Sequence, residues 1–256
     1  MNVTIKIKNT NFTQLIYSAS KTLLSLFLFI LGGLFFDSYA FVKANSNGQT
    51  YASIAMITVF IYLFVKATGR SKELMIYALL IGIAGECLFS LVFEMYTYRL
   101  GNVPLYVPPG HAIIYIVAVY FCREAAVKFY RKQLEISLLI FIIAYALFFL
   151  LFLKDIFGFV LTLLIIFLLR NKPRERLFFY VMYLVVVVLE LIGTSYKCWV
   201  WPNTAFGIIP FLKSANPPSG ISFFYFGLDL ASLWLYKQRH KMAWNRMKTI
   251  RILAKK

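Results

Sequence analysis

The sequence predicts an all-α polytopic membrane protein of about eight transmembrane helices, and three observations carry that reading. Hydrophobic residues make up 61% of the 256 and mean hydropathy is +0.75, more apolar than a soluble domain with a polar surface can be. The apolar residues fall into eight runs separated by short loops. The 27 lysines and arginines gather in every other loop, which is the positive-inside pattern of membrane proteins.

The runs lie near 22–42, 51–65, 74–96, 111–129, 134–153, 156–169, 177–196 and 219–236. At 1.5 Å per helical residue, most can cross a hydrocarbon core of about 30 Å. The second and sixth are short and fit tilted, thin or partly re-entrant spans. Lys6, Lys8 and Lys21 precede the first run, as in a signal peptide. This run is longer than a signal's apolar core, however, and no small-residue cleavage site follows, so it reads as an uncleaved first helix.

Basic loops hold Lys66, Arg70 and Lys72, then Arg123, Lys128, Arg131 and Lys132, then Arg170, Lys172, Arg174 and Arg176. A basic tail follows the last run. The alternate loops are poor in charge: Lys43; Arg99; Lys154 beside Asp155; Lys197 and Lys213. Eight spans with both the N and C termini cytoplasmic satisfy this pattern, in a multi-pass protein of the cell inner membrane. The net charge of +17 then reflects topology and contact with anionic lipids at the cytoplasmic face. Nucleic acid is not an expected partner, because no soluble basic module carries the charge. Cys87, Cys122 and Cys198 lack CxxC spacing and read as small apolar fillers.

Spans one to four match spans five to eight. After Glu86 come Tyr96-Thr97-Tyr98, Gly101-Asn102-Val103-Pro104, Pro108-Pro109-Gly110 and Tyr115. After Glu190 come Tyr196, Trp199, Trp201, Gly207-Ile208-Ile209-Pro210, Pro217-Pro218-Ser219-Gly220 and Tyr225. The shift is an even number of spans, so the repeats are expected to be parallel, related by an axis along the membrane normal. The division is a first repeat over 1–132, a second over 133–236 and a basic cytoplasmic tail over 237–256. This spacing places Tyr115 on Tyr225.

Carboxylates inside apolar spans are rare and mark functional sites. Asp37, Glu86, Glu94, Glu190 and Asp229 lie in or at the edge of the runs, with Arg99 and Lys197 as the nearest cations by sequence. Glu86, Ser90, Glu94 and Tyr98 are spaced by four and form one stripe on a continuous helix; Glu190, Thr194 and Cys198 form its counterpart. Two such stripes can face each other across a central cavity. A carboxylic acid kept neutral there is both a hydrogen-bond donor and a general acid; alternatively, each Glu only bonds a neighbouring helix. Asp229 has Val119 as its counterpart, an asymmetry suited to an asymmetric substrate. The candidate catalytic residues are therefore Glu86, Glu190, Asp229, Glu94 and His111. The candidate substrate-binding residues are Ser90, Tyr98, Tyr115, Thr194, Trp199, Trp201 and Tyr225. Their aromatic rings are either an interfacial belt or a cavity wall able to stabilise a cation.

Two histidines, His111 and His240, are too few for a di-metal desaturase or hydroxylase. No zincin motif, Asp-rich diphosphate motif, P-loop or nucleophile elbow occurs, so no metal and no cofactor is expected.

The segment from Glu86 through Tyr96 and Tyr98 to Leu100-Gly101-Asn102-Val103-Pro104-Leu105-Tyr106-Val107-Pro108 resembles the carotenoid biosynthesis membrane-protein family, which includes carotenoid 1,2-hydratases and bisanhydrobacterioruberin hydratase. Trp199-Val200-Trp201, Ile209-Pro210 and Asn216 are similar to a later part of the same family. The likeness covers about a quarter of the chain, and Pro108-Pro109-Gly110-His111 stands where the family has a Trp. It implies a polyisoprenoid substrate and acid-initiated addition of water. Two function classes follow: an intramembrane enzyme acting on a polyisoprenoid, carotenoid or other lipid, of hydratase or lyase type; or a proton-coupled small-molecule transporter using Glu86 and Glu190. A non-catalytic membrane scaffold is the third.

Overall fold

A computed structural model describes residues 12–253 of the protein; Lys6, Lys8, Lys255 and Lys256 lie outside the described residues. Helix α1 (Phe12–Ala19) continues through a π-helical turn (Ser20–Leu24) into α2 (Ser25–Phe36), followed by the short α3 (Tyr39–Ala44) and by α4 (Gly48–Lys66). Helix α5 (Gly69–Glu86) also ends in a π-helical turn, Cys87–Val92. Then come α6 (Val107–Phe121), α7 (Ala125–Phe129), α8 (Arg131–Leu153), α9 (Ile156–Leu169), α10 (Arg176–Ser195), α11 (Ser222–Arg239) and α12 (Lys241–Leu253).

This is the bundle of a membrane-type, predominantly helical protein. Five stretches are long and apolar enough to cross a membrane: Phe12–Ala44, Gly48–Lys66, Gly69–Val92, Arg131–Leu153 and Arg176–Ser195. Helices α6 and α9 are apolar but shorter, at 15 and 14 residues. Helix α11 has 18 residues and carries Asp229, Lys237 and Arg239. The burial pattern fits an apolar solvent. Helix α10 is sheathed by its neighbours and buries Tyr183, Val185 and Val186 completely, whereas Leu151 and Phe152 of α8 are each 71% exposed. An apolar face of this extent on the outside of a soluble domain would aggregate.

Local chemistry sets the helix ends. Ser38 Oγ accepts a hydrogen bond from the Phe41 N–H at 3.2 Å, and Thr68 Oγ1 one from Ser71 N–H at 3.4 Å, both N-caps. Pro108 and Pro109 occupy the first turn of α6, where the missing N–H costs nothing. The first apolar run, expected to be one helix over 22–42, breaks at Asp37–Ser38 because Ser38 caps a new helix there. The fourth, expected over 111–129, stops at Phe121. Exposed Arg123 and Glu124 interrupt it before α7 buries Ala126 and Val127.

The expectation of helices alone is corrected at one end of the bundle. There β1 (Thr97–Tyr98) pairs antiparallel with β2 (Trp199–Val200), in the register Thr97↔Val200 and Tyr98↔Trp199. A second ribbon joins β3 (Thr204–Ala205) to β4 (Ile209–Lys213). The cause is a period-two pattern: Tyr96, Tyr98, Trp199 and Trp201 are buried, while Thr97 and Val200 between them are exposed.

Asp155 holds the segment leading into α11. Its fully buried carboxylate accepts three backbone N–H bonds, from Gly158 (3.1 Å), Ala215 (3.0 Å) and Ser219 (2.7 Å). It reads in sequence as a loop acid beside Lys154, yet it links the start of α9 to residues sixty further on. Elements from the two halves of the chain interleave: α5 packs on both α6 and α11, and α10 on α2, α6, α8 and α11.

Candidate functional site

Glu86 is the last residue of α5 proper and is 4% exposed. The π-helical turn beyond it ends at Val92, and Glu94 adopts a positive φ of 47°. The chain reverses there, and the Met95 N–H donates to Phe89 O at 2.9 Å. The reversal brings Tyr96 and Tyr98 back over Glu86. Their hydroxyls donate to Glu86 Oε2 at 2.5 and 2.7 Å. Burial first, then the charge of Glu86, pushes both hydroxyls well above tyrosine's ordinary range, so they remain donors. His111, in the first turns of α6, places Nε2 2.8 Å from Glu86 Oε1.

Glu190 on α10 is 3% exposed and has the same environment in different residues. Trp199 and Trp201 donate their Nε1–H groups to Glu190 Oε2 at 2.8 and 3.0 Å, and the Tyr225 hydroxyl on α11 donates to Oε1 at 3.0 Å. Trp199 reaches this position because residue 193 is glycine. A Cβ there would lie 2.0 Å from Trp199 Cζ2.

The two sets touch ring to ring. Tyr96 packs on Trp201 with centroids 4.5 Å apart, Tyr98 meets Trp199 edge-on at 6.0 Å, and His111 lies against Tyr225 at 5.0 Å. Both carboxyls line one apolar pocket enclosing about 840 Å³ between atoms, its open side included. Leu26, Ile30 and Leu34 of α2 form one wall, and half-buried Phe89, Phe224 and Leu228 belong to another. A carboxyl in such surroundings is tolerated only when hydrogen-bonded, and each has three partners.

A second polar cluster adjoins the cavity. Buried Asp37 pairs with the Arg99 guanidinium and accepts the Tyr106 hydroxyl at 2.8 Å. The Arg99 N–H donates to Cys198 O at 2.9 Å, extending the β1–β2 ribbon. Arg99 is thus spent on Asp37, and Lys197 lies over the Tyr39 ring.

Of the residues singled out from sequence, Glu86, Glu190, His111, Tyr98, Trp199, Trp201 and Tyr225 come together around this cavity. Glu94 does not: it is exposed, and the stripe of fourth residues fails because the helix ends before it. Ser90 and Thr194 lie close by, but their hydroxyls bond the main chain, Ser90 to Tyr96 O at 3.4 Å and Thr194 to Glu190 O at 2.7 Å. Tyr115 packs against Phe178 in a separate cluster; the α6 ring that meets Tyr225 is His111, one turn earlier. Asp229, one turn beyond Tyr225, is 8% exposed, and its Oδ2 has no hydrogen-bond partner among the described residues. Sequence reasoning missed the role of Tyr96 and the Asp37–Arg99–Tyr106 cluster. The alternating Tyr-Thr-Tyr was the available signal for the first; for the second, Asp37 and Arg99 stood out singly, but nothing local paired Asp37 with residues 62 and 69 positions further on. Among the described residues, no three His, Cys, Asp or Glu side chains group as a metal site would require.

The chain matches no known protein family, no curated protein and no solved structure.

Proposed function

We propose that the protein is an intramembrane enzyme that adds a nucleophile, water in the first instance, to a polyisoprenoid, carotenoid or other long apolar lipid by protonating a double bond. The observation that carries this reading is the pair of hydrogen-bonded carboxyls, Glu86 and Glu190, in one apolar, aromatic-walled cavity. Protonating an alkene requires a positioned acid, a cavity that excludes bulk water and π faces to stabilise the cation. The half-buried Phe89, Phe224 and Leu228 favour entry of a lipid sideways from the bilayer. The likeness of the 86–108 and 199–216 segments to carotenoid hydratases points to the same substrate class.

The same reading includes eight spans, cytoplasmic termini and a basic face toward anionic lipids. It also includes a parallel duplication, which the ring contacts support. A twofold axis exchanging Glu86 with Glu190, Tyr96 with Trp199 and Tyr98 with Trp201 carries the Tyr96–Trp201 contact onto the Trp199–Tyr98 contact.

The test is the lipid extract of a strain lacking the protein, complemented with wild type, Glu86→Gln or Glu190→Gln. A changed isoprenoid profile restored by wild type and not by either variant is expected, with turnover lowered roughly 10²-fold or more. Full restoration by both variants would remove the catalytic reading. Gradient-driven uptake of a polar solute by proteoliposomes would replace it with transport.

A further inference from the structure

The two halves of the aromatic box differ in kind at a single position. Tyr96 and Tyr98 on one side and Trp199 and Trp201 on the other are all neutral donors to a carboxyl Oε2. At Oε1, Glu86 faces an imidazole and Glu190 a phenol. His111 is therefore the one group in the box able to take a positive charge. The other walls supply none: α2 and α4 contribute Leu26, Ile30, Leu34 and Met56, the nearby Arg99 is paired with Asp37, and the remaining carboxyl on α11, Asp229, adds no compensating charge.

An ionised carboxylate needs a counter-charge when water is excluded. Glu86 has a group able to supply one, the His111 imidazole, within 2.8 Å, and among the described residues Glu190 has none. We infer that the two glutamates rest in opposite states, Glu86 ionised against an imidazolium His111 and Glu190 carrying the proton. That proton sits on Oε1, because both Trp N–H groups on Oε2 can only donate, whereas the Tyr225 hydroxyl at Oε1 can turn to accept. The assignment of chemical roles rests on the proposed function. Glu190 Oε1–H breaks as its proton forms the new C–H bond with the alkene's π electrons. Water adds to the cation, forming a C–O bond, and gives its proton to the Glu86 carboxylate. The net change is the addition of one water. The resting state returns when a proton passes from Glu86 to Glu190, whose Oε1 atoms are bonded by His111 and Tyr225, side chains that pack ring to ring. Glu190 is thus the acid and Glu86 the base, with His111 fixing the difference.

The test is infrared spectroscopy of the purified full-length protein, reading the carbonyl stretch of protonated carboxylic acids in difference spectra between wild type and each variant. Asp229 contributes equally to both members of every pair. Glu190→Gln is expected to lose one protonated-carboxyl band, and Glu86→Gln to lose none. His111→Gln, which keeps a hydrogen-bonding side chain without the charge, should gain one band as Glu86 takes up a proton. If Glu190→Gln does not accumulate, Glu190→Asp should shift that band instead. Loss of the band in Glu86→Gln, no change in Glu190→Gln, or no gain in His111→Gln would each overturn the assignment. The spectra do not depend on turnover. The expected bands without any lipid product would refute the enzyme reading alone; a confirmed lipid product with the opposite bands would refute this assignment alone.

Discussion

Gly193→Ala isolates the contact that seats Trp199 against Glu190. An added Cβ would stand 2.0 Å from Trp199 Cζ2 and 2.1 Å from Cη2, whereas ordinary contact begins near 3.4 Å. The indole must therefore retreat by about 1.4 Å, the difference of these distances. Its backbone cannot follow, because β2 is paired with β1. A shift of that size takes Nε1, now 2.8 Å from Glu190 Oε2, out of hydrogen-bonding range. Three effects compete. Alanine improves the helix by up to about 1 kcal/mol. Overpacking costs about 1–3 kcal/mol, and loss of a hydrogen bond to a buried carboxyl about 1–3 kcal/mol more. The clash wins, for a net loss of roughly 1–6 kcal/mol. The assay is thermal unfolding in detergent followed by tryptophan fluorescence. Gly33→Ala serves as the control, since a Cβ at Gly33 meets nothing within 4 Å and should be neutral or stabilising. Equal midpoints for the two variants would refute the argument, and with it the claim that this glycine exists to admit the indole.

Arg99→Gln leaves the Asp37 carboxylate buried without its cation and should cost about 3–5 kcal/mol; adding Asp37→Asn should recover much of the loss in a double-mutant cycle, and a purely additive pair would show the ion pair to be unimportant. Burial, with Asp37 adding its charge, pushes the Cys198 thiol up to about 12. The thiolate is the reactive form, so at about pH 8 a water-soluble maleimide should spare Cys198 in the folded protein and label it after denaturation, as read by mass spectrometry. Labelling of the native protein would mean the 198–201 ribbon opens. Asp155→Ala strands three buried backbone N–H groups and should lower the unfolding midpoint by more than Glu94→Ala, whose side chain is exposed; similar midpoints would refute the role given to Asp155. A reporter fused after Lys256 should lie in the cytoplasm and one inserted in the 99–108 loop outside it; both on one side would remove the eight-span reading, and the reverse would overturn its orientation.

The class of fold was written in composition and periodicity. An apolar run long enough to cross a bilayer must satisfy its backbone internally, so it becomes a helix whatever its neighbours do, and α4, α8, α9 and α10 fall close to the runs that predicted them. Glu86 and Glu190 were legible as candidates for the same reason, since a carboxyl within such a run stands out against its surroundings. Where helices stop was legible only in part: Ser38 and Thr68 cap locally, but other ends are held by partners distant in sequence. Asp37 ends α2 in contact with Arg99 and Tyr106, and Asp155 fixes residues 215–219. The π-helical turn after Glu86 and the reversal at Glu94 broke a stripe that ideal helical spacing had drawn through Ser90 and Glu94. That reversal carries Tyr96 and Tyr98 onto Glu86 and lets their strand pair with Trp199–Val200. Sequence supplied the two carboxyls and the aromatic residues; only the tertiary structure, by folding the two connections back into the bundle, decided which ring bonds which oxygen and left His111 on one carboxyl and Tyr225 on the other.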